Sequence, residues 1–311
     1  MSGRAVSRQC VTPSWPRGPS AVVSSNLDMT GLDVEVDGLP IHVERAGSGP
    51  PVVLLHGFTG SSRAWRALAE ALPDYTTFAI DLIGHGQTGI AAPDDRYAMH
   101  RVVEDLAALL HALGYERAAW LGYSLGGRTA LQVAVQRPDV VSALILEGAS
   151  PGLATSAERA ERVAADEALA DRLDREGIEP FIDFWQSISL WDSQQRTLTA
   201  EQRAALRRGR LAQDARGLAQ SLRGMGTGAQ AWVGDRLGAI GVPTLLTAGT
   251  LDTKFAAIAA EMAQAIPDST MQLIDDAGHA AHLERPDAFH ALVREFLSTV
   301  RGRIERAQED R

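Results

Sequence analysis

Three residues able to do nucleophilic or acid–base chemistry together lie far apart in the sequence: Ser124, Asp252 and His279. Ser124 is the centre of Gly122-Tyr123-Ser124-Leu125-Gly126, a G-x-S-x-G stretch. Glycines at both ends let a strand turn sharply into a helix, which lifts the serine Oγ above the sheet. A serine hydroxyl is a weak base and nucleophile until a histidine takes its proton and a carboxylate orients that histidine. Asp252 closes the strand-like run TLLTAGT, and His279 follows MQLID through a short DAG turn. Each has a plainer reading. Ser124 could be a turn residue and Asp252 a helix N-cap, with Asp235 and Asp275 as less well placed rivals for the acid. His282 and His290 are neighbours of His279 in the helical region that follows.

Negative charge developing beside Ser124 needs donors. The N–H of Leu125, at a helix N-terminus, is one candidate, and the N–H of Phe58, just after the run LLHG, is the other. His56 in that run reads best as a packing residue that braces the loop. Arg128 stands four residues beyond Ser124, about one helical turn on and on the same face. A guanidinium grips a carboxylate through two parallel hydrogen bonds, which a lysine cannot do. The plainer reading of Arg128 is a surface arginine.

The elements that must position these residues can be read from the pattern. LDVEVDGLPIHVER reads as a hairpin around Asp37-Gly38. PVVLLHG, TTFAIDLIGHG, AAWLGYS, VSALILEGAS, VPTLLTAGTLD and STMQLIDDAGH are continuous apolar runs, as buried parallel strands tend to be. Helical periodicity appears in MHRVVEDLAALLHALG, LGGRTALQVAVQRP and KFAAIAAEMAQAIP, and in a last helix from Pro286 to about Val300. Residues 151 to about 236 have no strand-like run and read as polar helices. The expected organisation is a mainly parallel α/β core (29–150 and 237–300), an inserted helical lid (151–236) and a flexible tail (301–311). Residues 1–28, rich in Ser, Pro and Arg with no acid before Asp28, read as a disordered leader or a mis-assigned start with Met29 as the natural one. A transit peptide could share that composition.

With 311 residues, 45% hydrophobic and 22% charged, the chain has the composition of an ordinary globular protein. A net charge of −9 argues against a nucleic-acid or anionic-membrane surface. No apolar run approaches the roughly 18 residues that span a bilayer. The single cysteine, Cys10, excludes an internal disulfide and a thiolate metal cluster. The expectation is a cytoplasmic enzyme, monomeric or weakly self-associating, that needs no metal and no cofactor.

Several stretches carry a resemblance. LHGFTGSSRAW, DLIGHGQT, GYSLGGR, LILEGASPGL, SLRGMGTG, GTLDTKFAAIAAEM and AGHAAHLERP together resemble the 2-succinyl-6-hydroxy-2,4-cyclohexadiene-1-carboxylate (SHCHC) synthases of menaquinone biosynthesis, a branch of the α/β-hydrolase superfamily. The likeness runs from about Leu32 to Val300, lid included. It implies an α/β-hydrolase fold and a lyase that abstracts a proton from a cyclohexene polycarboxylate and eliminates pyruvate. It also implies arginines around an anionic substrate. Arg159 and Arg162 in ERAER, and Arg207 or Arg208 in ALRRGR, stand where the family places them, each equally readable as part of a solvated helix face. Tyr123 and Trp185 are candidates to pack against the substrate ring, Trp185 equally a core residue of the lid. Two other functions remain open: a carboxylesterase or carbon–carbon hydrolase of the same fold, and a non-catalytic binding module.

Overall fold

The computed structural model describes residues 29–90 and 94–309, so the expected leader at 1–28 lies outside the described residues. Strands β1 (Thr30–Val36) and β2 (Leu39–Ala46) form the hairpin. Asp37 and Gly38 join them at φ 47° and 76°, as a two-residue turn matching strand twist requires. The chain then alternates through β3 (Pro51–Leu55), α1 (Arg66–Ala71), β4 (Thr76–Ile80), α2 (Met99–Ala112), β5 (Ala118–Tyr123), α3 (Leu125–Gln136) and β6 (Val141–Glu147). Helices α4 (Ser156–Glu176), α5 (Ile178–Ser187), α6 (Asp192–Thr197), α7 (Ala200–Leu211) and α8 (Ala215–Met225) form an all-helical insertion between β6 and β7, the segment expected to act as a lid. Alternation resumes with β7 (Thr244–Gly249), α9 (Thr253–Ala265) and β8 (Ser269–Ile274), followed by α10 (Ala281–Glu284) and α11 (Pro286–Glu309).

The eight strands make one sheet in the order β1-β2-β4-β3-β5-β6-β7-β8. Only the β1–β2 and β2–β4 pairs are antiparallel; β3 to β8 pair in parallel. Every residue of β4 and β5 is buried, because helices cover both faces. One face packs against α2, α3 and α9 through residues such as Leu106, Leu131 and Met262. The other packs against α1 and α11 through Leu68, Phe289 and Val293. The carboxyl ends of the parallel strands all open toward one edge, where sheets of this type place their sites.

The lid has a small core of its own around Leu173, Phe181, Ile182, Leu218 and Leu222. Its long polar helices are held by local chemistry as well as packing. Thr155 with Glu158 and Thr199 with Gln202 form reciprocal capping boxes at the starts of α4 and α7. The terminal helix continues past Val300 to Glu309, where a flexible tail was expected. Arg, Glu, Ala and Gln in that segment are good helix formers and continue the preceding turns. No helix among the described residues is long and apolar enough to cross a membrane.

Candidate active site

Between β5 and α3 the chain turns at Ser124, which has φ 51° and ψ −107°. A non-glycine residue there stores strain, typically of order 1–3 kcal/mol. The surroundings hold it: the Ser124 N–H donates to the Glu147 carbonyl at 2.8 Å, and the Ser124 carbonyl accepts from the Arg128 N–H at 2.9 Å. Both motif glycines are required by close approach. A Cβ on Gly122 would run into the Gly126 carbonyl, and one on Gly126 into the Leu55 carbonyl of the neighbouring strand.

The topology brings the three expected residues together. His279 Nε2 lies 3.0 Å from Ser124 Oγ, and His279 Nδ1 lies 2.6 Å from Asp252 Oδ2. The other Asp252 oxygen accepts from the Phe255 N–H at 3.3 Å, so Asp252 caps α9 and faces the histidine at once. Of the rivals, Asp235 and Asp275 are exposed, and Asp252 is the carboxylate paired with His279. His282 pairs instead with buried Glu147, to which its backbone N–H also donates. That pair braces the turn from below, since Glu147 is the residue whose carbonyl holds the Ser124 N–H. His290 sits against Phe289 in α11.

Phe58 and Leu125 both line the cavity in front of Ser124. Among the described residues neither backbone N–H has a protein acceptor. His56 is fully buried behind this loop; its Nδ1–H donates to the Gly57 carbonyl at 2.8 Å, and its Nε2 accepts from the Leu82 N–H at 3.1 Å. His85 packs 5.0 Å from His56 and 5.8 Å from Phe58. Burial, followed by the proximity of His56, pulls the His85 pKa down to about 3, so it is neutral. The loop carrying Phe58 therefore rests on two neutral imidazoles.

The cavity has a volume of about 270 Å³ and lies between the sheet edge and the lid. Arg128, Arg162 and Lys254 bring cations to its wall. Arg128 Nη1 donates to the Met225 carbonyl at 2.9 Å and to Gln230 Oε1, both on lid segments. Its Nε and Nη2 have no protein partner among the described residues, which leaves one edge of the fork free. Desolvation, then the nearby Arg162, lowers its pKa to about 10, still charged at neutral pH. Arg162 is tied to Asp166 at 2.8 Å on the next turn of α4. Trp185 lines the apolar side of the cavity and packs edge-on to Phe58 at 5.4 Å. The Tyr123 ring lies 5.4 Å from His279, and its hydroxyl is buried without a hydrogen-bond partner among the described residues. Burial, then Glu147, keeps that phenol well above its ordinary pKa and hence protonated.

Two expected arginines lie away from the cavity. Arg159 turns back onto the carbonyls of Leu153 and Ala154 just before α4, at 2.8 and 2.9 Å. Arg207 pairs with Asp183 at 2.7 Å and Glu179 at 3.5 Å on α5, at the lid surface. Arg208 is exposed and faces a separate hollow. The arginine of α7 that turns inward is Arg210, 5% exposed, its guanidinium 4.9 Å from the Trp191 ring. Trp191 in turn lines the cavity and lies 5.9 Å from His279. Sequence reasoning missed Arg210 because α7 offers no apolar stripe to orient it. It also left Lys254 without a role, although LDTKF places this cation two residues after Asp252. Glu284 was missed as well. Its buried carboxylate accepts from Ser193 Oγ at 3.0 Å and Thr197 Oγ1 at 3.1 Å in α6, and from the Gly278 N–H at 2.9 Å, beside His279.

The relationships of the chain agree with this geometry. Residues 50–286 match the α/β hydrolase fold family. A Bacillus subtilis (strain 168) protein provisionally named as an SHCHC synthase is 43% identical over 83% of this chain and 93% of its own. The SHCHC synthase of Salmonella paratyphi C is 35% identical over 79% of this chain and 92% of its own. The solved structure of MenH from S. aureus superposes with a TM-score of 0.80 at 35% identity, covering 83% of this chain and 98% of that one. A serine on a strained strand-to-helix turn, a histidine and acid from later strands, and relatives matched along nearly their whole length lead to one statement: the chain belongs to the α/β hydrolase fold family and, within it, to the SHCHC synthases.

Proposed function

We propose that this protein removes the C2 proton of 2-succinyl-5-enolpyruvyl-6-hydroxy-3-cyclohexene-1-carboxylate and expels the enolpyruvyl group as pyruvate, leaving SHCHC. Substrate and product names fix the electron flow. The C2–H bond breaks and its pair forms C2=C3; the C3=C4 pair moves to C4=C5; the C5–O bond breaks. Enolpyruvate departs with the C–O pair, takes up a proton and becomes pyruvate.

The C2 proton is acidic because the succinyl carbonyl sits beside it, so the charge appears on that oxygen as an enolate. His279 draws the Ser124 proton, Ser124 Oγ takes the proton from C2, and Asp252 steadies the imidazolium. The Phe58 and Leu125 N–H groups receive the enolate oxygen. The imidazolium then protonates the departing enolpyruvate, which restores the starting state. No bond between serine and substrate is needed, and so a triad of hydrolase type serves an elimination.

The observation that carries this reading is Arg128. It is a charged guanidinium on the wall that also holds Ser124 and His279, with one edge free and no carboxylate bonded to it. The substrate has three carboxylates; Arg128 and Lys254 offer cations on the same wall, and Arg162 a third that is already ion-paired with Asp166. Tyr123 and Trp185 supply aromatic faces for the ring. The test is to give the purified protein the enolpyruvyl substrate and follow pyruvate release, with Ser124→Ala in parallel. Release by the wild type and its loss in the variant support the assignment; equal, background-level rates in both overturn it.

A further inference from the structure

Behind Arg128, on the side away from Ser124, lies a hollow of about 480 Å³. Two segments run from the catalytic cavity to it. On α3, Arg128 lines the catalytic cavity, and Gln132 and Gln136, one and two turns further on, line the hollow. In the loop after α8, Gly226 and Thr227 line the first space, and Gly228 and Gln230 line the second.

The chemistry of the hollow suits an anion. No acidic residue lines it, in a chain of net charge −9. Arg159 and Arg236 do line it, each steadied by backbone. Arg159 Nη1 donates to the Leu153 and Ala154 carbonyls at 2.8 and 2.9 Å, and Arg236 Nη2 donates to the Val135 carbonyl at 2.8 Å. Neither has a carboxylate at ion-pair distance among the described residues, whereas Arg162, Arg172, Arg207 and Arg223 all do. The start of α2 opens onto the same space through Met99 and His100. That terminus has no side-chain cap and no acid in its first turn. The N–H groups of Met99 and His100 have no acceptor among the described residues, so the helix end presents partial positive charge. Gln230, 1% exposed, belongs to the floor. Its Oε1 accepts from Arg128 Nη1, and its Nε2 is a buried donor without a partner among the described residues. Such a donor costs free energy until something accepts from it. Half-buried Trp232 adds an aromatic face.

We propose that this hollow is a second binding site, for a small carboxylate with a flat apolar body, and that its occupant steadies Arg128 through Gln230. The carboxylate takes the free N–H groups of Arg159 and Arg236, and the body lies against Trp232. An acceptor on Gln230 Nε2 fixes the amide in the orientation that offers Oε1 to Arg128, which orders the guanidinium on the catalytic side. The coupling to elimination rests on the reaction proposed above; binding in the hollow does not.

Benzoate is the probe and Trp232 the reporter. Fluorescence is titrated in the wild type and in Trp232→Phe, and the difference separates Trp232 from Trp185 and Trp191 of the catalytic cavity. A saturable Trp232 response is expected. Its midpoint should rise about tenfold or more in Gln136→Glu/Arg236→Glu, which removes a guanidinium and places two carboxylates in the hollow. Thermal melts and p-nitrophenyl acetate turnover check that this variant is folded; should it melt early, His100→Glu, at an exposed lining position, replaces it. No Trp232 response, or an unchanged midpoint in the variant, overturns the site. Inorganic phosphate binding as tightly as benzoate overturns the ligand class. For the coupling, KM for pyruvate release is measured with and without saturating benzoate. Competition at the catalytic cavity raises KM alike in wild type and variant, so the two ratios are compared. The wild-type ratio is expected to be about two- to threefold lower, at equal kcat. Equal ratios overturn the coupling. If the wild type releases no pyruvate, the proposed reaction fails, whereas the fluorescence titration still judges the hollow.

Discussion

Replacing Arg128 separates a site built for a polyanion from a general serine hydrolase. In the structure, Nη1 is spent on the Met225 carbonyl and Gln230 Oε1, and the edge formed by Nε and Nη2 is free. That edge matches the two oxygens of a carboxylate. Truncating one member of a desolvated, hydrogen-bonded charge pair costs about 2–5 kcal/mol. Arg128→Ala should therefore lower kcat/KM for pyruvate release by roughly 30-fold to a few thousandfold. Arg128→Lys keeps the charge but not the fork, and should fall between, at about 10- to 100-fold. The assay couples released pyruvate to lactate dehydrogenase and follows NADH. Hydrolysis of p-nitrophenyl acetate, which has no carboxylate to grip, reports on the triad alone and should be weak but within about threefold of wild type. Loss of the two lid contacts could also loosen α8, at about 1 kcal/mol per hydrogen bond, so thermal melts of the variants accompany the kinetics. Full elimination activity in Arg128→Ala refutes the clamp. So does an equal loss of elimination and ester hydrolysis, because that outcome marks a general collapse of the site.

Asp252→Asn should reduce elimination by about 10⁴-fold while preserving the fold, because an amide still caps α9 yet favours the wrong imidazole tautomer; circular dichroism with single-turnover kinetics checks both halves. Arg207→Ala should leave kcat/KM unchanged within about twofold, since its partners are exposed carboxylates on α5; a large loss would return Arg207 to the binding site. Acid stability should depend on His85. Its folded pKa of about 3 lies below the unfolded value of 6.5, so the unfolded chain takes up the proton first. Its contribution is complete above pH 6.5 and is lost as the pH falls toward 3, amounting to about 2 kcal/mol by pH 5. His85→Gln should flatten the unfolding free energy over that window in denaturant titrations; an unaltered slope contradicts the assignment.

The strand ends bearing Ser124, Asp252 and His279 were legible because each signal is local: an apolar run, a small-residue turn, then a polar side chain. Buried parallel strands leave little freedom in where their carboxyl ends point. The lid was legible only as a set of helices. Arg159 shares a helical stripe with Arg162, Asp166, Ala170 and Leu173, yet it sits one turn too early and folds onto the carbonyls before α4. Arg207 and Arg210 differ by three positions, and α7 buries only Arg210, so periodicity could not tell the inward arginine from the outward one. A clue did exist outside α7. Glu179 and Asp183, four apart on α5, present adjacent carboxylates that claim Arg207 and leave Arg210 to turn inward.

Glu284 bears on how the lid can move. Its carboxylate is 3% exposed and takes donors from α6 on one side and from the Gly278 N–H on the other. Lifting α6 would strip two hydroxyl donors from a buried charge and leave it leaning on the backbone that presents His279. The helical insertion is thus tied to the core at α6. Docking of the anchor and seating of the histidine become one cooperative event, so a molecule with a detached α6 would also have a disarmed base.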